Sequence, residues 1–508
     1  MLELSGRTRL AHLGRMAQDE LDVLVVGGGI TGAGVALDAA ARGLSVGLVE
    51  REDFAAGTSG RSSRLVHGGA RYLRHGEFGL VYESLRERNL LRRLAPHLVR
   101  PLGFLIPTRR PVNRLYMGLG LLMYDAATLG RTIAPHRRVS SAEAIRLAPT
   151  LARPSGGYLS FDCRTDDARL TLEVIRTAAG QGALVANHAS VEGFLGQGRV
   201  RGAAVVDRIE GGRMEVRARV VVNATGAWAG AVQGLASSTP TRLRPSKGIH
   251  VVLDRHRLPI RSAVMVPSVA RDGSLIFAVP WGPRVYAGTT DSPYDGDLDV
   301  PAADPQDVAI VMDSLARAFE GLSAADVMTT WAGIRPLLDT GGGSTRDLSR
   351  RHFISEDPPG LVTVTGGKLT TYRSMAQDVV DGVCRTLRRG GPCRTRTIPI
   401  GLSGPLDHER HRAGEEAPRL GLSPSAGARL VERYGDDWET AATMIREHPA
   451  LGEEIIPGLP VLRVELELAA IREMALEPDD VLVRRTRLAT MDPGARLASL
   501  GWGKGHHR

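Results

Sequence analysis

Gly27-Gly28-Gly29-Ile30-Thr31-Gly32 and Glu50 are the residues whose types and spacing most directly imply chemistry. Gly27 permits a tight turn, Gly29 lets the backbone approach a pyrophosphate, and Gly32 lets a helix lie close against a strand. Ile30 and Thr31 open that helix, whose first N–H groups and positive dipole end favour an anion. Glu50 stands 18 residues after Gly32, where a carboxylate accepts hydrogen bonds from ribose hydroxyls and repels a phosphorylated ribose. The expected ligand is FAD or NAD and not NADP, and the expected chemistry is redox.

Such residues need a strand, a helix and a second strand to hold them. The sequence supplies an apolar strand over residues 21–26, an alanine-rich helix, and a second strand ending at Glu50. Two more strand-to-loop junctions follow the same logic. The valine-rich run 216–222 ends in Asn223-Ala224-Thr225-Gly226, and the run 361–365 ends in Gly366-Gly367-Lys368, with a helix expected over 369–387. Strands ending at one sheet edge would gather all three junctions round one cofactor. A helix starting at the third would aim its positive end at a reduced, anionic flavin, a need that a nicotinamide lacks. FAD is therefore preferred, and no second glycine fingerprint offers a nicotinamide site.

A chain of 508 residues exceeds what one hydrophobic core organises, so two or three domains are expected. The division read from the sequence is a lead over 1–19, a discontinuous FAD-binding domain (20–95, 160–244 and 336–391), a substrate domain (96–159 and 245–335) and a helical C-terminal domain (392–508). The first is α/β and Rossmann-type. In the second, short apolar strands and turns between residues 245 and 291 suggest an antiparallel sheet. Net charge is +9 and the pI about 9.8, so anionic partners must be considered. An aromatic content of 4% and the lack of any nucleic-acid module argue against nucleic acid. Cys163, Cys384 and Cys393 have neither metal-ligand spacing nor the even count of a disulfide framework, so no metal is expected and a reducing compartment suits them. With no signal-peptide pattern and no apolar run of spanning length, the chain reads as cytoplasmic, soluble or lying on a membrane surface.

Several separated segments resemble the FAD-dependent glycerol-3-phosphate dehydrogenases, and together they span nearly the whole chain. They are Thr58-Ser59 with the run from Arg61-Ser62-Ser63-Arg64 through His67-Gly68-Gly69-Ala70-Arg71-Tyr72-Leu73, then Asp166-Asp167-Ala168-Arg169-Leu170, and Gly288-Thr289-Thr290-Asp291. Gly333-Ile334-Arg335-Pro336-Leu337 and Gly366-Gly367-Lys368-Leu369-Thr370-Thr371-Tyr372-Arg373 follow, and Glu473-Met474-Ala475 with the run from Asp479 to Thr486 resembles the family's helical cap. Ala70 departs from the pattern, which commonly has a larger apolar residue there. The resemblance implies the fold of the amino-acid-oxidase-like flavoproteins and oxidation of sn-glycerol 3-phosphate to dihydroxyacetone phosphate by hydride transfer to flavin N5. It also implies electrons passed to a membrane quinone from a peripheral position on the inner face of the cell membrane. A homodimer is one assembly it allows.

On that reading, Arg71 and Arg335 are expected to grip the substrate phosphate, since arginine's planar fork meets phosphate oxygens in bidentate fashion. Lys368 adds a point charge there or beside the flavin's N1 and O2, and Tyr72 orients the substrate. Removing the hydroxyl proton calls for a base near neutrality, and His67 and His250 are the candidates, with His250 preferred. Either could instead be a structural histidine. Thr58, Ser59, Ser62 and Ser63 are small hydroxyl residues suited to the pyrophosphate or the ring edge. The expected cofactor contacts continue through His67, Gly68, Val191, Ala224, Thr225, Gly226, Trp228, Asp291, Gly333, Arg335, Gly367, Lys368, Leu369 and Thr370. The stretch 102–124, with Arg109, Arg110 and Arg114, suits an anionic bilayer surface or, equally, a strand and helix facing the core. Three alternatives stay open: a glycerol-3-phosphate oxidase using dioxygen, an amine or amino-acid oxidase of the same fold, and a non-catalytic FAD-binding protein with a basic surface.

Overall fold

Leu21–Val26, Val46–Val49, Arg213–Asn223 and Leu361–Thr365 are rich in β-branched and aliphatic residues, and they pair in parallel at the centre of one sheet. Parallel strands of this kind are covered on both faces, which explains runs without polar alternation. The computed structural model describes residues 3–69, 77–108, 117–118, 120–123, 125, 133–270, 273–339 and 352–495. Within it, Val26 stands opposite both Asn223 and Val49, and Asn223 opposite Thr363. All four strands therefore end at one edge, and the three loop junctions and Glu50 follow directly from those ends. Ile30–Ala41, Asp167–Gly180 and Tyr372–Leu387 supply helices to the core around this sheet.

A second sheet holds the antiparallel strands expected after residue 245. Leu243–Asp254 lies between Arg284–Gly288 and Val327–Leu338, and the chain continues outward through Leu275–Trp281 and Ala263–Pro267 to Arg100–Pro107 and Gly157–Arg164. One pair departs from the antiparallel expectation, because Ala263–Pro267 runs parallel to Arg100–Pro107. The sheet also takes in Leu65–Val66 and the whole of Gly157–Arg164, so the sequence boundary drawn at residue 160 cuts through a strand. Burial alternation could not reveal this, since a strand's partners are set by distant segments.

Arg100–Pro107 is paired on both sides, so the described start of the stretch 102–124 is an internal strand of the second sheet. Arg109, Arg110 and Arg114 lie outside the described residues. Among the described residues no helix is long and apolar enough to cross a membrane. The lead over 1–19 contains the helix Gly6–Gln18, fastened by buried Arg9, which donates to Asn187 O at 2.8 Å and pairs with Asp207 at 2.6 Å. Beyond residue 392, the helices Leu406–Glu416, Pro424–Tyr434, Trp438–Glu447 and Val464–Arg472 pack around a core of their own that includes Leu430, Tyr434, Trp438 and Leu468.

Candidate active site

The glycine run behaves as three different glycines. Gly27 has φ 109°, and a Cβ there would lie 2.8 Å from Ala224 O on the neighbouring strand end. At Gly32 a Cβ would lie 1.9 Å from Gly27 O, so the helix could not sit this close to the strand. At Gly29, the residue preceding the helix, a Cβ would meet only Ser59, at 3.1 Å from its Oγ, which leaves the side facing a ligand open. Ser59 Oγ accepts the Ile30 N–H at 2.9 Å, and Thr31 lies in the same first turn. Glu50 accepts the Gly28 N–H at 2.7 Å and the Glu52 N–H at 2.9 Å, while desolvation pushes its carboxyl above the usual range. These features fit a dinucleotide: the helix start offers N–H donors, no side chain blocks the approach, and a carboxylate ends the second strand.

The other junctions close round the same edge. The Thr225 hydroxyl donates to Asn223 Oδ1 at 2.7 Å, shaping the loop that contains Ala224, and Gly226 follows with φ 61°. Trp228 lies against Gly57, with the Arg51 guanidinium 5.3 Å from its ring centre. Val191 is half-buried in the hairpin beside this sheet, opposite Val205. At the third junction Gly367 has φ 79°, and Lys368 precedes a 3-10 turn, Leu369–Thr371, that leads into Tyr372–Leu387. Lys368 Nζ donates to Ser84 Oγ at 3.3 Å, and the His67 N–H donates to Thr370 Oγ1 at 3.3 Å. Gly68 N–H points at Asp162, which pairs with buried Arg88 at 2.8 Å.

Residues 58–63 cross the face of the second sheet and bring the two sheets' residues together. The Thr58 hydroxyl donates to Ile334 O at 2.6 Å, Arg61 O lies where a Cβ on Gly333 would be, and Trp331 Nε1 donates to Ser62 O at 3.3 Å. Tyr286 OH donates to Ser63 O at 3.0 Å, and Ser63 Oγ lies 2.9 Å from His250 Nε2. Gly248 stands opposite Gly333 on the paired strand, and residues directly opposed in this way face the same side. Over Gly248 lies Arg335, since a Cβ there would be 2.3 Å from Arg335 Nη2. That nitrogen donates to Thr289 Oγ1 at 3.0 Å and Thr290 O at 3.1 Å. Asp291 accepts the Ser246 hydroxyl and lies 3.5 Å from Arg335 Nη1.

His250 is almost fully buried and stacks on Trp331, its cross-strand partner, with ring centres 4.6 Å apart and planes at 11°. Burial, then Arg335, then Arg64 drive its pKa well below the usual histidine value. That shift favours the neutral imidazole, and among the described residues its Nδ1 has no hydrogen-bond partner. Arg64 is itself buried, 4.1 Å from the centre of Trp281 and 4.6 Å from that of Trp331, and burial lowers its pKa to about 10. A cation on indole faces is attracted by the ring quadrupole, which offsets part of the desolvation cost. Sequence reasoning gave Arg64 no role and passed over Trp331. The only signal for Trp331 was a tryptophan two residues before Gly333.

The structure thus brings His250, Arg335, Ser62 and Ser63 together, with Thr58 and Gly333 at the crossing and His67, Gly68, Lys368 and Thr370 at the neighbouring loop. Arg71 and Tyr72 lie outside the described residues. Among the described residues, Asp53, His188 and Asp480 lie within 4.8 Å of one another, but Arg484 pairs with both carboxylates and Arg485 with Asp53.

Residues 22–376 match the family described as FAD dependent oxidoreductase, and residues 393–501 match the C-terminal domain of alpha-glycerophosphate oxidase. Glycerol-3-phosphate dehydrogenase 2 of Mycobacterium tuberculosis is 40% identical over 490 residues, covering 94% of this chain and 83% of that protein. The aerobic glycerol-3-phosphate dehydrogenase of Staphylococcus aureus is 36% identical over 494 residues, covering 93% and 87%. The crystal structure of the Bacillus halodurans glycerol-3-phosphate dehydrogenase complexed with FAD superposes with a TM-score of 0.79 at 32% identity, covering 96% and 90%. The glycine oxidase of Geobacillus kaustophilus, at 19% identity and a TM-score of 0.56 over 76% of this chain and 100% of that one, shares the fold. The chain belongs to the FAD-dependent glycerol-3-phosphate dehydrogenases, a family of flavoprotein oxidoreductases whose FAD-binding fold accounts for the glycine cradle described above.

Proposed function

We propose that this protein oxidises sn-glycerol 3-phosphate to dihydroxyacetone phosphate and passes the electrons to a quinone at a membrane surface. The observation that carries the reading is a buried imidazole and a guanidinium on one sheet face, beside the segment that leads back to the FAD cradle. Arg335 binds the substrate phosphate, its fork held in place by Thr289 and Thr290, and Arg71 and Lys368 complete the cationic set. With Nε2–H donated to Ser63 Oγ, His250 keeps the Nδ1 lone pair for the C2 hydroxyl proton. Bound FAD would supply the two-electron acceptor for the hydride on C2. Once protonated, His250 faces Arg335 and Arg64, which disfavour the imidazolium, so the proton passes to water as product leaves and the base form returns. Ser59, Glu50 and the helix start hold the pyrophosphate and ribose, and Tyr72 orients the substrate.

The reading is tested by anaerobic titration of the yellow holoprotein with glycerol 3-phosphate, glycine and D-amino acids in turn. Bleaching of the flavin bands by glycerol 3-phosphate alone is the expected result, and bleaching by an amino acid alone would reject it. A second acceptor, dioxygen, is favoured by the match of residues 393–501 to the C-terminal domain of an oxidase. Peroxide released in proportion to turnover, against quinone reduction without peroxide, separates the two. Attachment to the bilayer is read by flotation with acidic-lipid vesicles, where recovery of all protein in the bottom fraction removes the membrane claim.

A further inference from the structure

The helical domain supplies none of the groups assigned above, yet its last described turns meet the FAD-binding half through buried ion pairs. Glu473 pairs with Arg169, Arg484 and Arg485 pair with Asp53, and Arg487 pairs with Asp166 and Asp167. Each of these side chains is mostly or wholly withdrawn from water. Arg487, 1% exposed, directly follows the π-helical turn Asp480–Arg485 and residue Thr486, and it adopts φ 65°. That backbone is unfavourable for a non-glycine residue, so the surroundings must hold it there.

What holds it is the crossing segment together with the start of the helix Asp167–Gly180. Arg487 Nη1 donates to Gly60 O at 2.9 Å, and Nη2 donates to Asp166 Oδ1 at 2.8 Å and Asp167 Oδ1 at 2.5 Å. The second oxygen of Asp167 accepts the Ser62 N–H at 2.8 Å. The next residue is Ser63, the partner of His250, and Ser62 O is the acceptor for Trp331. A continuous set of charge-assisted hydrogen bonds therefore runs from the C-terminal domain to the crossing segment and ends one residue from the imidazole's own partner.

We propose that the C-terminal domain is a clamp on the active-site crossing segment, and that Arg487 is a positioning residue for His250 and the flavin edge. It acts through Gly60, Asp167 and Ser62 and touches neither substrate nor cofactor. Arg484 and Arg485 fasten the domain at Asp53, whereas Arg487 fixes where residues 60–63 cross the second sheet. The role in turnover rests on the reading that Ser63 and His250 flank the flavin. The role in holding the cofactor segment does not.

The test uses the holoprotein with Arg487→Met, Arg487→Lys and Asp167→Asn, and Arg429→Met as the control. Arg429 pairs with Glu465 at 2.8 Å inside the C-terminal domain. The control therefore weakens that domain while leaving Arg433 paired with Glu465 at 3.0 Å and the bonds of Arg487 to Gly60, Asp166 and Asp167 in place. The readouts, taken well below the melting temperature, are flavin visible circular dichroism, FAD affinity and the flavin-reduction rate with glycerol 3-phosphate. Arg487→Met should alter the dichroism, weaken FAD binding about tenfold and slow reduction by about ten- to a hundredfold. The half-saturating substrate concentration should stay within about twofold, because Arg335 is untouched. Arg487→Lys and Asp167→Asn, which fold more readily, should show the same pattern to a smaller degree. Arg429→Met should lower the melting temperature while leaving all three flavin readouts intact. Wild-type flavin readouts in folded Arg487 variants would overturn the proposal, and so would an equal loss in Arg429→Met. If wild type is not reduced by glycerol 3-phosphate, the substrate reading fails while dichroism and FAD affinity still decide the clamp.

Discussion

The cradle at Gly27–Gly32 and the face carrying His250 and Arg335 are built by opposite means. The first is backbone: N–H groups, one carboxylate, and glycines whose missing Cβ atoms let a helix and strand approach. The second is side chain: an imidazole stacked on Trp331, an arginine lying over Gly248, and a buried arginine between indoles. A diphosphate needs donors fixed in space and little else, so main chain suffices. Proton and hydride transfer need a base in one protonation state and a cation aimed at a phosphate, which takes side chains from several strands. The difference predicts that lesions in the cradle abolish the holoprotein, whereas lesions on the sheet face spare FAD and damage turnover.

The largest effect is expected at Gly32→Ala, whose Cβ would strike Gly27 O at 1.9 Å. Backbone must move, so the purified protein should carry no FAD and melt earlier. Gly29→Ala, with only Ser59 at 3.1 Å, should fold and lose FAD affinity alone. Equal stability loss in the two would erase the distinction between a packing glycine and an approach glycine.

Next in size is His250→Ala, which should retain yellow colour while flavin reduction slows by about 10² to 10⁴ in stopped flow. His67→Ala provides the comparison. An undiminished rate in both discards a histidine base.

Smaller still is Gly248→Ala, whose Cβ would displace Arg335 Nη2. It should raise KM for glycerol 3-phosphate about ten- to a hundredfold, as should Arg335→Lys, which loses the bidentate fork. A change confined to kcat would place the phosphate elsewhere.

The smallest effect separates the two regions by pH. Below about 6.5 the unfolded chain protonates a histidine that folded His250 resists, so stability from this group falls as pH drops, by up to about 1.4 kcal/mol per unit. Glu50 has the opposite sign: its raised folded value binds a proton sooner than the unfolded chain does, so stability falls as pH rises through the window just above about 4.3. Buried His97, lowered to about 3, adds to the histidine slope. Melting temperatures of FAD-free wild type, His250→Phe and Glu50→Gln between about pH 4.5 and 7.5 should show one slope shallower and the other steeper on acidification. Parallel curves would mean that neither group is perturbed by the fold.

The cradle was readable because its parts are adjacent in sequence: strand, glycines, helix and acid fall within residues 21–50, and the structure keeps that order. The junctions at Asn223 and Gly366 were readable for a related reason, since buried parallel strands announce themselves as valine runs and their ends must share an edge. The strand expected at 361–365 and the helix expected from 369 are both present, with a 3-10 turn opening the latter. The sheet face was harder. Arg335 stood out through a family motif and His250 by its place after Lys247-Gly248-Ile249 beside a strand, but the His250–Trp331 stack depends on the register of two strands some eighty residues apart, and no local pattern sets that register. Arg64 stood only as one residue of a family motif until the fold placed indoles round it. Arg487 gave no hint of its grip on Gly60, because a contact spanning more than four hundred residues leaves no spacing to read. Arg71 and Tyr72, legible only through the resemblance, fall outside the described residues.

The central claim is that cationic side chains converge beside the flavin to grip a phosphorylated polyol. Its most direct test is a crystal structure of the holoprotein with a non-oxidisable analogue of glycerol 3-phosphate. The account predicts phosphate oxygens within hydrogen-bonding distance of Arg335, with the polyol hydroxyl at His250 Nδ1. Arg71, Arg335 and Lys368 scattered away from the isoalloxazine ring, with the phosphate bound elsewhere, would contradict it.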